Sequence, residues 1–288
     1  MAAIKPLVID GSTGFWSVVN AAVSNSKLGL FSDDGLIYVA MSDMTKMVPF
    51  VRDKEELFSS TMNRHSKKYR VIINGQFYGL SNMGKADALM GDDPVDPSHT
   101  TPEGLVINDS KVVGGRAAPK MFYVANHWTS SPTYTFNSGS APKSASSAIG
   151  GCGPVIINGM PYGETNKFAK GIVGKQRGEP IAKNKPHLKQ RSNSTFSSFL
   201  TRPPYTGKTL IAHNAARSKL FALVLPHGAS GISLVGVRNK LKKAGFENAI
   251  FLDGSDSSLL MVDEAFIAKA GSNKDETNTV GIGFDFGA

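Results

Sequence analysis

Near its carboxyl end the chain reads Ala249-Ile250-Phe251-Leu252-Asp253-Gly254-Ser255-Asp256-Ser257-Ser258-Leu259-Leu260-Met261-Val262. Four apolar residues, a polar loop and four more apolar residues predict two buried strands that are joined by a loop at one edge of a sheet. Asp253 can act as an acid or base, Gly254 permits close backbone approach, and the serines offer donors to an anion. The same residues also fit a simple turn in which Asp253 bonds its own backbone, and spacing favours neither interpretation.

Apolar runs with strand character recur along the rest of the chain. Strands are predicted at 15–23, 27–31, 35–41, 69–74, 104–107, 121–125, 154–157, 209–213, 219–225 and 279–286. The turn Ser32-Asp33-Asp34-Gly35 predicts a hairpin. The stretches 80–102 and 129–147 are polar and contain prolines, which is typical of loops.

Helices are fewer than strands in this pattern. Asp53 and Glu56 have capping-box spacing ahead of a predicted helix that ends near His65. A second helix is predicted between a Ser233 N-cap and Gly245, with lysines in its last turn. The predicted fold class is therefore α+β, with a mixed, largely antiparallel sheet and few helices.

The domain organisation follows from these elements. Residues 1–66 are expected to add strands and a helix to the same domain as the rest, and residues 67–288 are expected to form its core. A basic insertion is expected at about 164–205. A chain of 288 residues with 41% hydrophobic residues can build such a core without cross-links, and the single cysteine, Cys152, cannot form an internal disulfide.

No apolar stretch has the length of a signal peptide or of a membrane span. We therefore expect a cytoplasmic protein, or one that is exported without a cleavable signal.

The net charge of +9 is concentrated in one segment. Residues 167–191 contain one acidic residue, Glu179, and eight basic residues: Lys167, Lys170, Lys175, Arg177, Lys183, Lys185, Lys189 and Arg191. The segment is interpreted either as a solvated insertion or as an electrostatic collar for a phosphorylated partner. Nucleic acid is disfavoured, because aromatic residues are not interleaved with the basic ones.

Four further motifs precede the Asp253 loop in the chain. They are Ile73-Asn74-Gly75-Gln76-Phe77-Tyr78, Pro102-Glu103-Gly104-Leu105-Val106-Ile107, Gly150-Gly151-Cys152-Gly153-Pro154-Val155-Ile156-Ile157-Asn158-Gly159 and Lys208-Thr209-Leu210-Ile211-Ala212-His213. Together with the loop, and in this order, they resemble the motifs of the phosphodiester glycosidase family from about Val71 to Phe286. The resemblance implies that family's fold and hydrolysis of the bond between a sugar's anomeric carbon and a phosphate oxygen. The partners that it implies are a phosphorylated sugar, a nucleotide-like small molecule or a glycopolymer. No cofactor and no metal are expected.

The resemblance also suggests roles for individual residues. The catalytic candidates are Asp253, Asn74 and His213. The candidates for binding substrate or phosphate are Lys208, Thr209, Gly254, Asp256, Ser257, Ser258 and Gly75. Asn74 follows directly on a buried strand, so its amide can bond a sugar hydroxyl or fix Asp253, but it also fits a plain turn at the end of the strand. His213 likewise also fits a structural role. Glu103 is expected to be a solvated loop carboxylate.

Two other groups of residues fit a functional site less well. Cys152 has no paired base in the sequence that would make it a nucleophile. The acidic cluster Asp92, Asp93, Asp96 and His99 does not match the calcium-loop pattern, and a surface loop is favoured.

The chain departs from the family pattern at three positions. Lys208 stands where the family has arginine, and Ser255 and Asp256 replace glycines. These differences keep two alternatives open beside a hydrolase. One is a non-catalytic protein that binds a phosphorylated sugar or nucleotide, and the other is a virion- or surface-associated adhesion module.

Overall fold

The computed structural model describes residues 6–8, 14–53, 56–80, 100–119, 121–129, 132–162, 205–271 and 278–287. The helices are α1 (Phe15–Ser26), α2 (Phe58–Ser66) and α3 (Leu234–Lys243), and residues 215–217 and 255–257 form 3₁₀ turns. The strands are β1 (Leu7–Val8), β2 (Leu28–Asp33), β3 (Leu36–Ser42), β4 (Lys46–Val51), β5 (Val71–Asn74), β6 (Tyr78–Leu80), β7 (Thr100–Pro102), β8 (Val106–Asn108), β9 (Lys111–Gly114), β10 (Phe122–His127), β11 (Thr133–Ser138), β12 (Ser147–Ile157), β13 (Met160–Pro161), β14 (Lys208–Asn214), β15 (Lys219–Leu225), β16 (Asn248–Phe251), β17 (Leu260–Val262), β18 (Ala265–Ala268) and β19 (Val280–Asp285).

Two large sheets dominate the described residues. The larger has the order β1-β2-β3-β15-β14-β16-β12-β10-β11, with β8, β9 and β13 joined to it at the side. The smaller has the order β18-β17-β5-β19-β4, and a third sheet pairs β6 with β7. Apart from the parallel pair β1 and β2, the ladders between described strands are antiparallel, which confirms a sheet-rich fold of largely antiparallel type.

The main core joins apolar side chains from both sheets. The alternation of β5 is an example, because Val71 and Ile73 belong to this core whereas Ile72 packs in a second cluster with Phe58 and Met62 of α2. Such alternation is what a strand buried on both faces requires. β5 therefore lies between two apolar layers, and its last residue, Asn74, is carried into the interior.

The hairpin and the later helix confirm their predictions. Asp34 and Gly35 connect β2 to β3 with positive φ angles of 49° and 76°, the geometry of a tight two-residue hairpin turn. Ser233 caps α3, because its Oγ accepts from the Gly236 N–H at 3.1 Å. Gly245, with φ of 80°, follows the helix.

The strand predicted at 15–23 is wrong, because this segment is helix α1. Its β-branched valines favour strand locally, but the apolar residues also recur at helical spacing. Val19 and Val23 are buried one turn apart, and Phe15 and Ala22 pack against the same core.

The capping box predicted for α2 does not form. The helix begins at Phe58 after a Leu57 N-cap that makes no side-chain bond. The Glu56 carboxylate instead accepts from Thr61 Oγ1 and Arg64 Nη1, each at 2.7 Å. The Glu56 side chain thus bonds to side chains further along the helix and does not cap its first turn.

Part of the stretch predicted as the loop 129–147 is strand β11. Phe136 is buried while its neighbour Asn137 is exposed, an alternation that pairing with β10 supports. β12 also begins earlier than predicted, at Ser147, and β18 has no predicted counterpart. At the edges of 80–102, residues 78–80 and 100–102 pair as β6 and β7.

The basic segment 167–191 and the acidic cluster at 92–99 lie outside the described residues. No helix in the described part of the chain is long and apolar enough to cross a membrane.

Candidate functional site

Asn74, at the end of β5, joins three segments that are far apart in sequence. Its Oδ1 accepts hydrogen bonds from Thr209 Oγ1 at 2.7 Å and from the Leu259 N–H at 3.0 Å. Its Nδ2 donates to the Asp253 carbonyl at 2.8 Å. Asn74 is 1% exposed, so the amide fixes the backbone of the Asp253 loop from inside the protein.

Backbone hydrogen bonds hold the same loop from two sides. The Leu252 N–H donates to the Thr209 carbonyl at 2.8 Å, and the Asp253 N–H donates to the Gly75 carbonyl at 3.0 Å. The Gly75 N–H in turn donates to Val280 at 2.7 Å. Asp253 is therefore anchored to strands of both large sheets.

The loop combines the two interpretations that its spacing left open. Asp253 Oδ1 accepts from the Gly254 N–H at 3.0 Å, a local bond that is typical of a turn and that also orients the half-buried carboxylate. Residues 255–257 form a 3₁₀ turn, with the Ser257 N–H donating to the Gly254 carbonyl at 3.1 Å. Gly254 is needed for close approach, because a Cβ there would lie 2.8 Å from the Gly207 carbonyl oxygen.

Lys208 lies beside this loop. β14 pairs with β16 so that Leu210 is opposite Phe251, and continuing this register past Phe251 sets Asp253 opposite Lys208. Residues directly opposite in an antiparallel pair direct their side chains to the same face. We infer that the Lys208 and Asp253 side chains share a face, whereas Thr209 points the other way, to Asn74.

The ammonium of Lys208 is held in an unusual environment. The residue is 5% exposed, and its Nζ donates to the Thr206 carbonyl. Burial lowers the pKa of Lys208 to about 8 from the ordinary 10.5, because desolvation penalises the charged form. The cation is therefore one that titrates near neutral pH.

Several candidates for phosphate binding use their polar groups inside the protein. Thr209 is fully buried and donates to Asn74, and Gly75 uses its N–H and carbonyl for the backbone bonds above. Ser257 and Ser258 are also buried. Ser258 Oγ has no hydrogen-bond partner among the described residues. Thr209 and Gly75 thus bond to the Asp253 loop and its neighbours, and their assignment as phosphate ligands stays a prediction.

Asp256 lies in the 3₁₀ turn and is half-buried. Its carbonyl accepts from the Gly271 N–H at 2.7 Å, which ties the turn to the segment after β18. The side chain of Ser255 lies outside the description.

The structure does not bring His213 to the other candidates. His213 is at the opposite end of β14 from Lys208, five residues or about 16 Å along an extended strand. Its ring stacks near Phe136 at 6.1 Å between centroids, and its Nε2 lies 3.9 Å from Asp43 Oδ2. Burial lowers the pKa of His213, against a smaller opposing effect of Asp43 and Glu247. Its surroundings are those of a structural histidine.

Glu103 is less solvated than the sequence suggests. Its N–H donates to the Phe77 carbonyl at 2.8 Å, and its side chain is 15% exposed. The neighbouring Gly104 is pressed on β12, where a Cβ would lie 2.0 Å from the Gly150 carbonyl carbon. The sequence signal for Glu103 as a site residue is its place inside a motif, three positions before β8.

Gln76 is a buried polar residue in the same motif as Asn74, and no sequence pattern marks it as a site residue. Its Nε2 donates to the Gly104 carbonyl at 3.2 Å, and its buried Oε1 has no hydrogen-bond partner among the described residues. Gln76 therefore links the segment after Asn74 to the segment that carries Glu103.

Cys152 belongs to the main core. The Cys152 thiol is buried, which raises its pKa and suppresses the thiolate. Within the described ranges, no three His, Cys, Asp or Glu side chains cluster in a way that could hold a metal ion.

Comparison with known proteins gives a consistent result. A family model described as phosphodiester glycosidase matches residues 67–284. The catalytic domain of zebrafish N-acetylglucosamine-1-phosphodiester alpha-N-acetylglucosaminidase, auto-inhibited by its pro-peptide, is similar in structure. It shows 13% identity and a TM-score of 0.53 over 90% of this chain and 81% of that chain. A protein from Burkholderia pseudomallei described as exported shows 10% identity and a TM-score of 0.52, over 86% of this chain and 73% of its own. A search of curated protein sequences gives no match.

Proposed function

The chain belongs to the phosphodiester glycosidase family, and from this premise we propose that it hydrolyses the sugar–phosphate bond of a sugar 1-phosphodiester. Water would add to the anomeric carbon as the bond from that carbon to the phosphate oxygen breaks. The products would be a free sugar and a phosphomonoester. Distant relatives with 10–13% identity support the fold alone, so the activity rests on the family and on the site.

The observation that carries this proposal is the three-way bonding of Asn74. Through Asn74, the motifs at 73–78, 208–213 and 252–258 meet at the Asp253 loop. A loop fixed in this way holds its carboxylate in place before substrate arrives, which is what general-base catalysis requires.

In the proposed reaction the Asp253 carboxylate takes a proton from the attacking water. The water oxygen bonds to the anomeric carbon, and the electron pair of the breaking bond leaves with the phosphate oxygen. The leaving phosphate is a weak base, so the reaction needs less general-acid help than ordinary glycoside cleavage. It needs a cation to steady the negative charge, and Lys208 opposite Asp253 suits that task.

The remaining residues act by position in this proposal. Asn74, Thr209 and Gly75 hold the loop, and Gly254 lets it approach β14. Asp256 offers a second carboxylate on the same loop. His213 has no role in the proposed reaction, because it packs at the opposite end of β14 from Lys208.

The test is turnover of sugar 1-phosphodiesters by the wild type and by Asp253→Asn, followed as release of reducing sugar. We expect the substitution to lower kcat by about 100-fold or more, because the amide cannot accept the proton. Asp109→Asn is the matched control. Asp109 is exposed in the β8–β9 turn with φ of 49°, a conformation that asparagine also adopts, so activity should be unchanged.

Binding of the diesters by both proteins without cleavage, across a panel of sugars, would refute the hydrolase proposal. It would instead support the alternative of a binding protein without turnover.

A further inference from the structure

Three neighbouring strands of the large sheet, in the order β15-β14-β16, have ends beside the Asp253 loop. Lys208 begins β14 and pairs with Leu225, the last residue of β15. Asp253 lies on the β16 side of Lys208 when the register of β14 and β16 is continued. Adjacent strands lie about 4.8 Å apart, so a group just beyond the end of β15 flanks Lys208 on the side away from Asp253.

His227 lies in the turn that follows β15 and contacts the segment that leads into β14. Its Nδ1 accepts from the Gly207 N–H at 3.3 Å, and Gly207 directly precedes Lys208. On the other side, the Gly207 carbonyl oxygen would lie 2.8 Å from a Cβ at Gly254. Gly207 therefore contacts both the imidazole of His227 and the backbone of the Asp253 loop.

The turn that carries His227 is also fixed by its backbone. The Gly228 N–H donates to the Tyr205 carbonyl at 2.8 Å, and Gly228 has φ of 78°, a conformation that favours glycine. The Ala229 N–H donates to the Pro226 carbonyl at 3.3 Å, which closes the turn. The imidazole is thus held in place although His227 is exposed.

The hydrogen bond from Gly207 determines which ring nitrogen can donate to a ligand. An imidazole nitrogen that accepts a hydrogen bond carries no hydrogen, so the neutral ring has its hydrogen on Nε2. The two ring nitrogens project in divergent directions, so the Nε2–H points away from Gly207. Because His227 is exposed, this N–H can donate to a molecule that is bound beside Lys208.

We propose that His227 is a phosphate-binding residue of the Asp253 site, whose Nε2–H donates to a phosphate oxygen of the substrate. This role, which rests on the function proposed above, gives the bound substrate a direction. The sugar lies at Asp253, and the phosphate lies between Lys208 and His227. The two non-bridging oxygens of a phosphodiester share one negative charge, so a neutral donor beside the Lys208 ammonium suits them.

The experiment uses two substitutions that separate the two nitrogens of the ring. His227→Asn keeps an acceptor near the position of Nδ1, which can still bond Gly207, but it has no donor as far out as Nε2. His227→Gln carries an amide N–H close to the position of Nε2. A residue that only holds the turn tolerates the first change better, whereas a phosphate ligand tolerates the second.

Binding of methyl phosphate to the full chain is followed by phosphorus NMR. This probe has no sugar, so its binding does not depend on turnover. His227→Asn should weaken the affinity about tenfold, because a hydrogen bond to a charged group is lost, and His227→Gln should stay within about threefold of the wild type. His127→Asn is the matched control and should stay within about twofold, because His127 ends β10, which β12 separates from β16.

His227 is exposed, so its variants should fold, and circular dichroism checks that they do. The proposal is overturned if the wild type does not bind methyl phosphate, or if His227→Asn binds it as tightly as the wild type. Equal losses in His227→Asn and His227→Gln also overturn it, because the loss then does not follow the outward donor. If binding depends on His227 as expected while the wild type turns over no sugar 1-phosphodiester, the hydrolase proposal fails and the phosphate-binding role remains.

Discussion

Lys208 illustrates how one residue changes what the site can do. An arginine, the family residue at this position, stays charged at any pH that a protein meets, whereas the buried Lys208 has its pKa lowered to about 8. Lysine also loses the two-pronged recognition of phosphate that arginine offers. Phosphate recognition by this chain should therefore depend on pH where that of an arginine enzyme does not.

We predict that kcat/KM for a sugar 1-phosphodiester falls as pH rises through about 8, as Lys208 loses its proton. Lys208→Arg should abolish this limb of the profile, because guanidinium stays charged. The measurement is a pH profile of both proteins. An unchanged alkaline limb in Lys208→Arg would assign the limb to another group.

The same shift has a consequence for stability. Between about 8 and the ordinary 10.5, the unfolded chain holds a proton on Lys208 that the folded chain has released. The contribution of Lys208 to the free energy of unfolding thus increases as pH rises through this range. Below about 8 both states are protonated, and the buried charge disfavours the fold.

At the scale of elements, strand ends and loops are held together by a few buried hydrogen bonds. β5, β14 and the Asp253 loop meet through Asn74, and each is connected to the others by a long stretch of chain. The hydrogen bonds of Asn74 therefore connect segments that contacts between sequence neighbours cannot bring together.

Asn74→Ala is predicted to lower the free energy of unfolding by roughly 3 kcal/mol, because three buried polar groups lose a partner. The measurement is urea denaturation followed by circular dichroism. Asn137→Ala is the control: Asn137 is exposed on β11, and its side-chain bonds reach only Ser138, so the loss should stay within about 0.5 kcal/mol. Equal midpoints for the two variants would contradict the role given to Asn74.

At the scale of the whole molecule, one large core joins both sheets and contains Cys152. β12, which carries this residue, is buried along its entire length and pairs with β10 and β16. The thiol can reach solvent only when these strands separate.

We predict that a thiol reagent labels Cys152 at the rate of global unfolding and not at the rate of an exposed thiol. The native protein should be protected, and urea should remove that protection along the unfolding transition. Cys152 is the single cysteine, so no other thiol confuses the measurement. Fast labelling well below the transition would show that β12 opens locally.

Local sequence signals suffice to predict several elements. Ser233 and Gly245 mark the ends of α3, Asp34-Gly35 makes the hairpin, and the Asp253 loop lies between two apolar strands, because caps, turns and alternation act over a few residues. Local signals did not predict α1 and β11 correctly. Helix and strand signals compete in short apolar runs, and tertiary pairing decides between them.

Which candidate residues come into contact depends on the three-dimensional fold. Asn74, Thr209 and Asp253 converge because antiparallel register brings distant strand ends together, whereas the same strand carries His213 away from Lys208. A sequence records which residues are polar or apolar, but the distances between far positions follow from strand register and sheet packing, which form only when the whole chain folds.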